Sequence, residues 1–285
     1  MVIALSTGSL HTYGTARIFG LAVEVGYDGV EVMVDHRWDT RQPDYLRRLS
    51  GDYNLPVVAL HSPFLTLDTP GWSDDALGRL RHTVNLAQAL DVPTVVTHLP
   101  FRFHALVGRW YAAQQHSFKL PVPIRRREHY SRFLCNGLGS FEAEVGVVVA
   151  VENMPAHRFL RWRVNSYAFN SIAEIARFPH LTLDTTHLGT WGMDPLAVYE
   201  QLRERIVHVH LSNFDGADKK RPVEHRSPPD GHLPLAELLR RLACDGYRGV
   251  ITVETSPDAL DAEDEKKCLA ALRRALAFCR EHFCR

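Results

Sequence analysis

The 285-residue chain has no surplus charge of either sign: 33 Lys and Arg stand against 33 Asp and Glu. That balance gives no overall signal for a nucleic acid or an acidic partner. Cysteine is sparse and unpaired in pattern. Cys135, Cys244, Cys268, Cys279 and Cys284 are odd in number, widely spread and without C-x-x-C spacing, which argues against a disulfide framework or a cysteine zinc knot. No apolar run approaches the roughly 20 residues of a membrane span. The opening Met-Val-Ile-Ala-Leu-Ser-Thr-Gly lacks the basic flank and the length of a signal peptide. A reduced, soluble, cytoplasmic protein with no membrane partner is expected. No composition break marks a linker, so residues 1–285 read as one domain.

What is present is an alternation. Short β-branched runs at Val2–Leu5, Gly29–Val34, Pro56–His61, Thr94–His98, Val147–Glu152, Leu181–Asp184, Ile206–Leu211 and Val250–Glu254 read as strands. Amphipathic segments follow them at Thr15–Val25, Pro43–Tyr53, Asp74–Leu90, Arg126–Glu144, Ser171–Phe178, Pro195–Arg205, Leu235–Asp245 and Ala262–Phe278. Gly137-Leu-Gly139 lies inside one of these and reads as a kink or helix boundary. Eight strands alternating with eight helices predict the α/β class, as a single (β/α)8 TIM barrel. A doubly wound open sheet is the weaker alternative, because no Gly-rich phosphate turn follows the first strand.

In such a barrel the strand ends converge on one face, where the chemistry sits. Strands three to eight each bring a His, Asp or Glu there: His61, His98, Glu152, Asp184 with His187, His210, and Glu254. Carboxylates gathered on one face repel one another and are costly to bury without a cation among them. A set of His and carboxylates suits Zn, Mn or Fe better than Ca. His208 shares a strand face with His210 one layer deeper and is expected to be a core or supporting residue rather than a ligand.

The combination His61-Ser-Pro-Phe, His98, Val-Glu152-Asn, Leu-Asp184-x-x-His187, His-x-His210 and Glu254 resembles the xylose-isomerase-like TIM-barrel superfamily. That group includes sugar-phosphate isomerases and epimerases, ketose 3-epimerases, inosose dehydratases and abasic-site nucleases of the endonuclease IV type. Resemblance to the epimerases implies one divalent metal, Zn or Mn, held by Glu152, Asp184, His210 and Glu254. The two glutamates then serve as acid and base beside a carbonyl, His187 holds a substrate oxygen, and the partner is a small sugar or sugar phosphate. Resemblance to the nucleases implies up to three zinc ions and DNA as the partner. His61 and His98 would join Glu152 in one further site, and Asp230 and His232 would join His187 in another. A metal-binding barrel without catalysis is the third reading. Homo-oligomerisation is left open.

Two segments are strongly basic. The β4–α4 loop, about 101–127, contains Arg102, Arg109, Lys119, Arg125, Arg126 and Arg127, and Ala156–Ser171 contains Arg158, Arg161 and Arg163; neither has an acidic residue. They hold nine of the 33 basic residues, so the neutral total conceals a positive rim. Both also carry aromatics. Trp110, Arg158, Arg161 and, after strand six, Trp191 are the substrate-binding candidates, and His104–Gln115 is expected to form a short helix over the site. After strand two, Asp35-His-Arg-Trp-Asp-Thr-Arg-Gln has mixed charge, unlike the nucleases' recognition loops, which ranks the isomerase or epimerase first.

Overall fold

The computed structural model describes residues 1–64, 69–73, 75–110, 116–123, 127–159, 162–216 and 223–284; in 103–110, 116–123, 127–128 and 158–159 it describes the backbone only. Near-continuous apolar runs such as Val-Val-Ala-Val leave no polar face, so their strands must be covered on both sides. A closed parallel barrel wrapped in helices does this. Its strands are Val2–Ser6 (β1), Gly29–Met33 (β2), Val57–His61 (β3), Thr94–His98 (β4), Val148–Glu152 (β5), Leu181–Asp184 (β6), Ile206–Leu211 (β7) and Val250–Val253 (β8). They pair in parallel in sequence order, and β8 closes on β1 through Val2↔Val250 to Leu5↔Val253. The (β/α)8 expectation holds.

The helices are Thr15–Val25 (α1), Pro43–Tyr53 (α2), Ala76–Ala89 (α3), Arg127–Asn136 (α4), Leu138–Val145 (α5), Ile172–Ile175 (α6), Thr185–Trp191 (α7), Pro195–Leu202 (α8), Leu235–Cys244 (α9) and Glu265–His282 (α10). The glycine signal is real: α4 and α5 divide at Gly137. α10 begins three residues later than Ala262 because the Asp264 side chain accepts from the amides of Lys266 and Lys267, and so caps the helix there. The core joins strand residues such as Ile3, Val149 and Ile251 to helix residues such as Phe19, Leu239 and Leu272, all fully buried.

Among the described residues, three antiparallel hairpins follow the C-terminal ends of β4, β5 and β7: Phe103–Trp110 with His116–Pro123, His157–Phe159 with Trp162–Val164, and Asn213–Asp215 with Val223–Arg226. The first corrects the expected helix at His104–Gln115. Phe103–Trp110 is a strand, paired from Phe103↔Pro123 to Trp110↔His116. Phe, Val and Trp favour strand, and Gly108 disfavours helix. Residues 111–115 lie outside the described ones. Among the described residues, no helix is long and apolar enough to cross a membrane.

Candidate metal centre

His210 stands at the centre of the barrel's C-terminal face. Side chains alternate along β7, so His208 and His210 both point inward, and both are fully buried. The Nδ1 of His210 lies 3.0 Å from Glu152 Oε1, 2.9 Å from Glu254 Oε2 and 3.8 Å from Asp184 Oδ2. One ligand-type atom from each of these four residues falls within 4.8 Å of all the others. Register explains the convergence: Asp184 pairs with His210, and His210 with Thr252, two residues before Glu254.

α7 begins directly at the end of β6. Asp184 is its N-cap, with Oδ1 accepting from the His187 amide at 2.7 Å. The same carboxylate therefore starts the helix and faces the centre. Its other oxygen, Oδ2, is buried without a hydrogen-bond partner. Burial raises the Asp184 pKa well above the usual carboxylate range, and the Glu152 and Glu254 charges add to this against His225 and His210. Burial also favours the neutral forms of Glu152 and Glu254, but His210 outweighs it. With help from His61 and His98 it holds Glu152 well below the usual range, and Glu254 falls to about 2. His210 in turn is raised well above its ordinary value by Glu254, Glu31 and Glu152 despite burial. Three buried carboxylates and one imidazole, with one carboxylate oxygen unpartnered, form a donor set that a divalent cation satisfies.

A family profile described as xylose isomerase-like TIM barrel matches residues 19–275. The chain belongs to this family. Of the relatives of this xylose isomerase-like barrel, an uncharacterised protein of Mycobacterium tuberculosis is 29% identical over 302 residues, covering 99% of this chain and 98% of its own. Two solved structures share the fold. A D-tagatose 3-epimerase-like protein superposes with a TM-score of 0.62 at 20% identity over 100% of both chains. A 3-keto-D-glucoside 4-epimerase from E. coli superposes with a TM-score of 0.65 at 18% identity over 99% of both.

Two more clusters border the central one in this xylose isomerase-like barrel. His61 Nε2 and His98 Nε2 lie 3.4 and 3.1 Å from Glu152 Oε2. His61 Nδ1 is 2.8 Å from the Ser62 carbonyl, which can only accept, so that nitrogen carries the proton and Nε2 is the side turned to the glutamate. Burial favours the neutral form of His61, but Glu152 raises its pKa overall; burial dominates at His98 and lowers it. On the other side, His187 Nδ1 donates to the Asn153 carbonyl at 2.8 Å, which leaves Nε2 with its lone pair. His187 groups with Asp184 and His225.

Asp230 and His232 do not join His187. The Asp230 carboxylate is 3.6 Å from Arg274, while the exposed His232 ring is 3.5 Å from Asp215. The resemblance placed Asp230 and His232 beside His187, but the hairpin after β7 turns His225 toward it instead. His225 adopts φ 50°, the left-handed region, and its amide donates to Thr186 Oγ1 at 3.0 Å. Nothing in the sequence around His225 marks it out.

Trp191 is half-buried at the end of α7, with Nε1 donating to the Met154 carbonyl at 3.0 Å. Arg161 and the side chains of Trp110 and Arg158 lie outside the described residues. Of the expected positive rim, Arg163 donates to the Trp191 carbonyl at 2.7 Å, and Arg102 donates to the Tyr167 carbonyl at 2.7 Å with Glu174 at 3.8 Å. These two cations tie the β4 and β5 loops to the barrel. Glu31, on β2, was missed. A carboxylate in the middle of Gly-Val-Glu31-Val-Met is the available signal, although it does not stand at a strand tip.

Proposed function

We propose that this chain is a divalent-metal-dependent isomerase or epimerase of a small sugar or sugar phosphate. The observation that carries the reading is the pair Glu152 and Glu254. Both carboxylates contact His210 Nδ1, yet they arrive from β5 and β8, on either side of β6 and β7, beside the unpartnered Asp184 oxygen. Glu152, Asp184, His210 and Glu254 would hold the cation, which when bound polarises a substrate carbonyl. His210 favours the ionised form of Glu152 and of Glu254, the state a base needs to take a proton from the carbon next to that carbonyl. The ionised one removes it, and the other, having first taken a proton from solvent, delivers that proton from the opposite side, inverting or relocating the centre. His187 offers Nε2 to a substrate oxygen, its ring held by Asn153. Phe64, Phe101, Tyr130 and Tyr167 line a cavity against His98, aromatic faces suited to the C–H face of a sugar. The epimerases among the structures of like fold support the same class.

Incubating the metal-supplemented protein with ketoses in D2O tests this. Deuterium should enter at the carbon beside the carbonyl with wild type and not with Glu254→Gln. Retained exchange in the variant would show that Glu254 is not the base.

A second reading, a three-metal phosphodiesterase at abasic DNA sites, is favoured by the two bordering clusters, His61–His98–Glu152 and Asp184–His187–His225. It differs from the first in metal count and in cutting duplex DNA that holds one abasic site.

A further inference from the structure

Beneath His210 lies a buried carboxylate that the proposed chemistry does not use. Glu31 is fully buried, its Oε2 lying 2.7 Å from His208 Nε2 and hydrogen-bonded to His210 Nε2 at 3.3 Å. Thr252 Oγ1 is 3.3 Å from Glu31 Oε2 and 3.0 Å from His208 Nε2. The contact with His210 crosses the barrel interior, since β1 and β8 separate β2 from β7 in the sheet.

These atoms form a hydrogen-bonded network rather than another ion site. Ligands about 2.1 Å from a zinc-sized ion and only 2.7 Å apart would subtend roughly 80° at it, far from tetrahedral. A hydrogen bond fits that separation without strain. An ionised carboxylate only accepts, so the imidazole nitrogen facing Glu31 must carry the proton.

We infer that Glu31 is a positioning residue for the metal centre. By accepting from Nε2–H it fixes the ring orientation and tautomer of His210 and directs Nδ1 toward Glu152, Asp184 and Glu254. His208, 2.7 Å from the same Oε2, braces the carboxylate against His210. A carboxylate behind a ligating imidazole raises the basicity of the ligand, and loss of such a partner weakens metal binding by about 10–100-fold. The inference rests on reading the four-residue group as a metal site.

The test is titration of the purified full chain with Mn2+ alone, for wild type, Glu31→Gln and Thr252→Val, alongside thermal melts of the metal-free proteins. Glu31→Gln should bind about 10–100-fold more weakly while keeping the wild-type circular dichroism. Thr252→Val, which removes only a 3.3 Å hydroxyl contact to Oε2 and leaves the His210–Glu31 hydrogen bond in place, should stay within about threefold of wild type. In the zinc-loaded wild type, 15N NMR should place the His210 proton on Nε2. Undiminished binding by Glu31→Gln, equal weakening by Thr252→Val, or a proton on Nδ1 would each overturn the inference. Should Glu31→Gln fail to fold, the NMR measurement on wild type decides by itself. A wild-type chain that takes up no metal would sink the metal reading and this inference together, whereas tight wild-type binding matched by Glu31→Gln sinks this inference alone.

Discussion

Asp184→Asn should stabilise the metal-free protein and abolish its response to metal. In wild type, Asp184 Oδ2 is buried with no hydrogen-bond partner, and the carboxyl shares its surroundings with Glu152 and Glu254. A buried unsatisfied acceptor costs about 1–3 kcal/mol, and more when charged. Asparagine keeps the oxygen that accepts from the His187 amide, and so keeps the α7 cap. It also places an amide donor among carboxylate acceptors. A gain of about 1–3 kcal/mol corresponds to a rise of about 2–5 °C in Tm for a domain of this size. The sign with pH follows from the raised pKa of Asp184. The folded state binds the proton more tightly than the unfolded state, whose carboxyl titrates near 4. Stability of metal-free wild type should therefore fall as pH rises from about 4 through the raised value, and Asp184→Asn should flatten that decline. With metal at about 1,000 times its Kd, wild type gains about 4.1 kcal/mol by mass action. The order of the two melts should then reverse. Differential scanning fluorimetry at several pH values, with and without Mn2+, reads all of this. A metal-free Asp184→Asn that melts below wild type, or one that keeps the wild-type metal shift, would refute the reasoning.

Two further outcomes are expected. Gly189→Ala places a Cβ 2.6 Å from Phe214 Cβ and 2.8 Å from its Cγ. Overpacking of that kind costs about 1–3 kcal/mol, so a denaturant midpoint unchanged from wild type would show that the hairpin after β7 yields freely. Elemental analysis of protein purified without added metal should give about one divalent ion per chain under the epimerase reading; near three, together with cleavage of abasic duplex, would favour the phosphodiesterase.

The barrel was legible because its signals are local. Each strand announces itself by a β-branched run, each helix by its apolar stripe, and eight repeats of the pair leave few architectures. The strand-end residues were legible for the same reason. A carboxylate or imidazole where an apolar run stops, as at Glu152 or His210, is visible without knowing its neighbours. Boundaries were less so. Ala262 looks helical by pattern, but Asp264 captures the amides of Lys266 and Lys267 and starts α10 later.

The residues with no local signal depend on contacts far apart in the chain. Glu31 and His210 are 179 positions apart, and only barrel closure brings β2 opposite β7 across the interior. Asp230 and His232 are the ligands the resemblance implies, but His225 is the residue turned toward His187, by a left-handed backbone in a hairpin whose course no local pattern dictates. By itself, then, the sequence determined the fold class and the residue types gathered at the strand ends, because periodicity and run termination are properties of neighbouring residues. The tertiary structure decided which of those residues share one centre, what braces His210 from beneath, and where the loop cations are spent. Those depend on strand register and on closing the sheet into a ring.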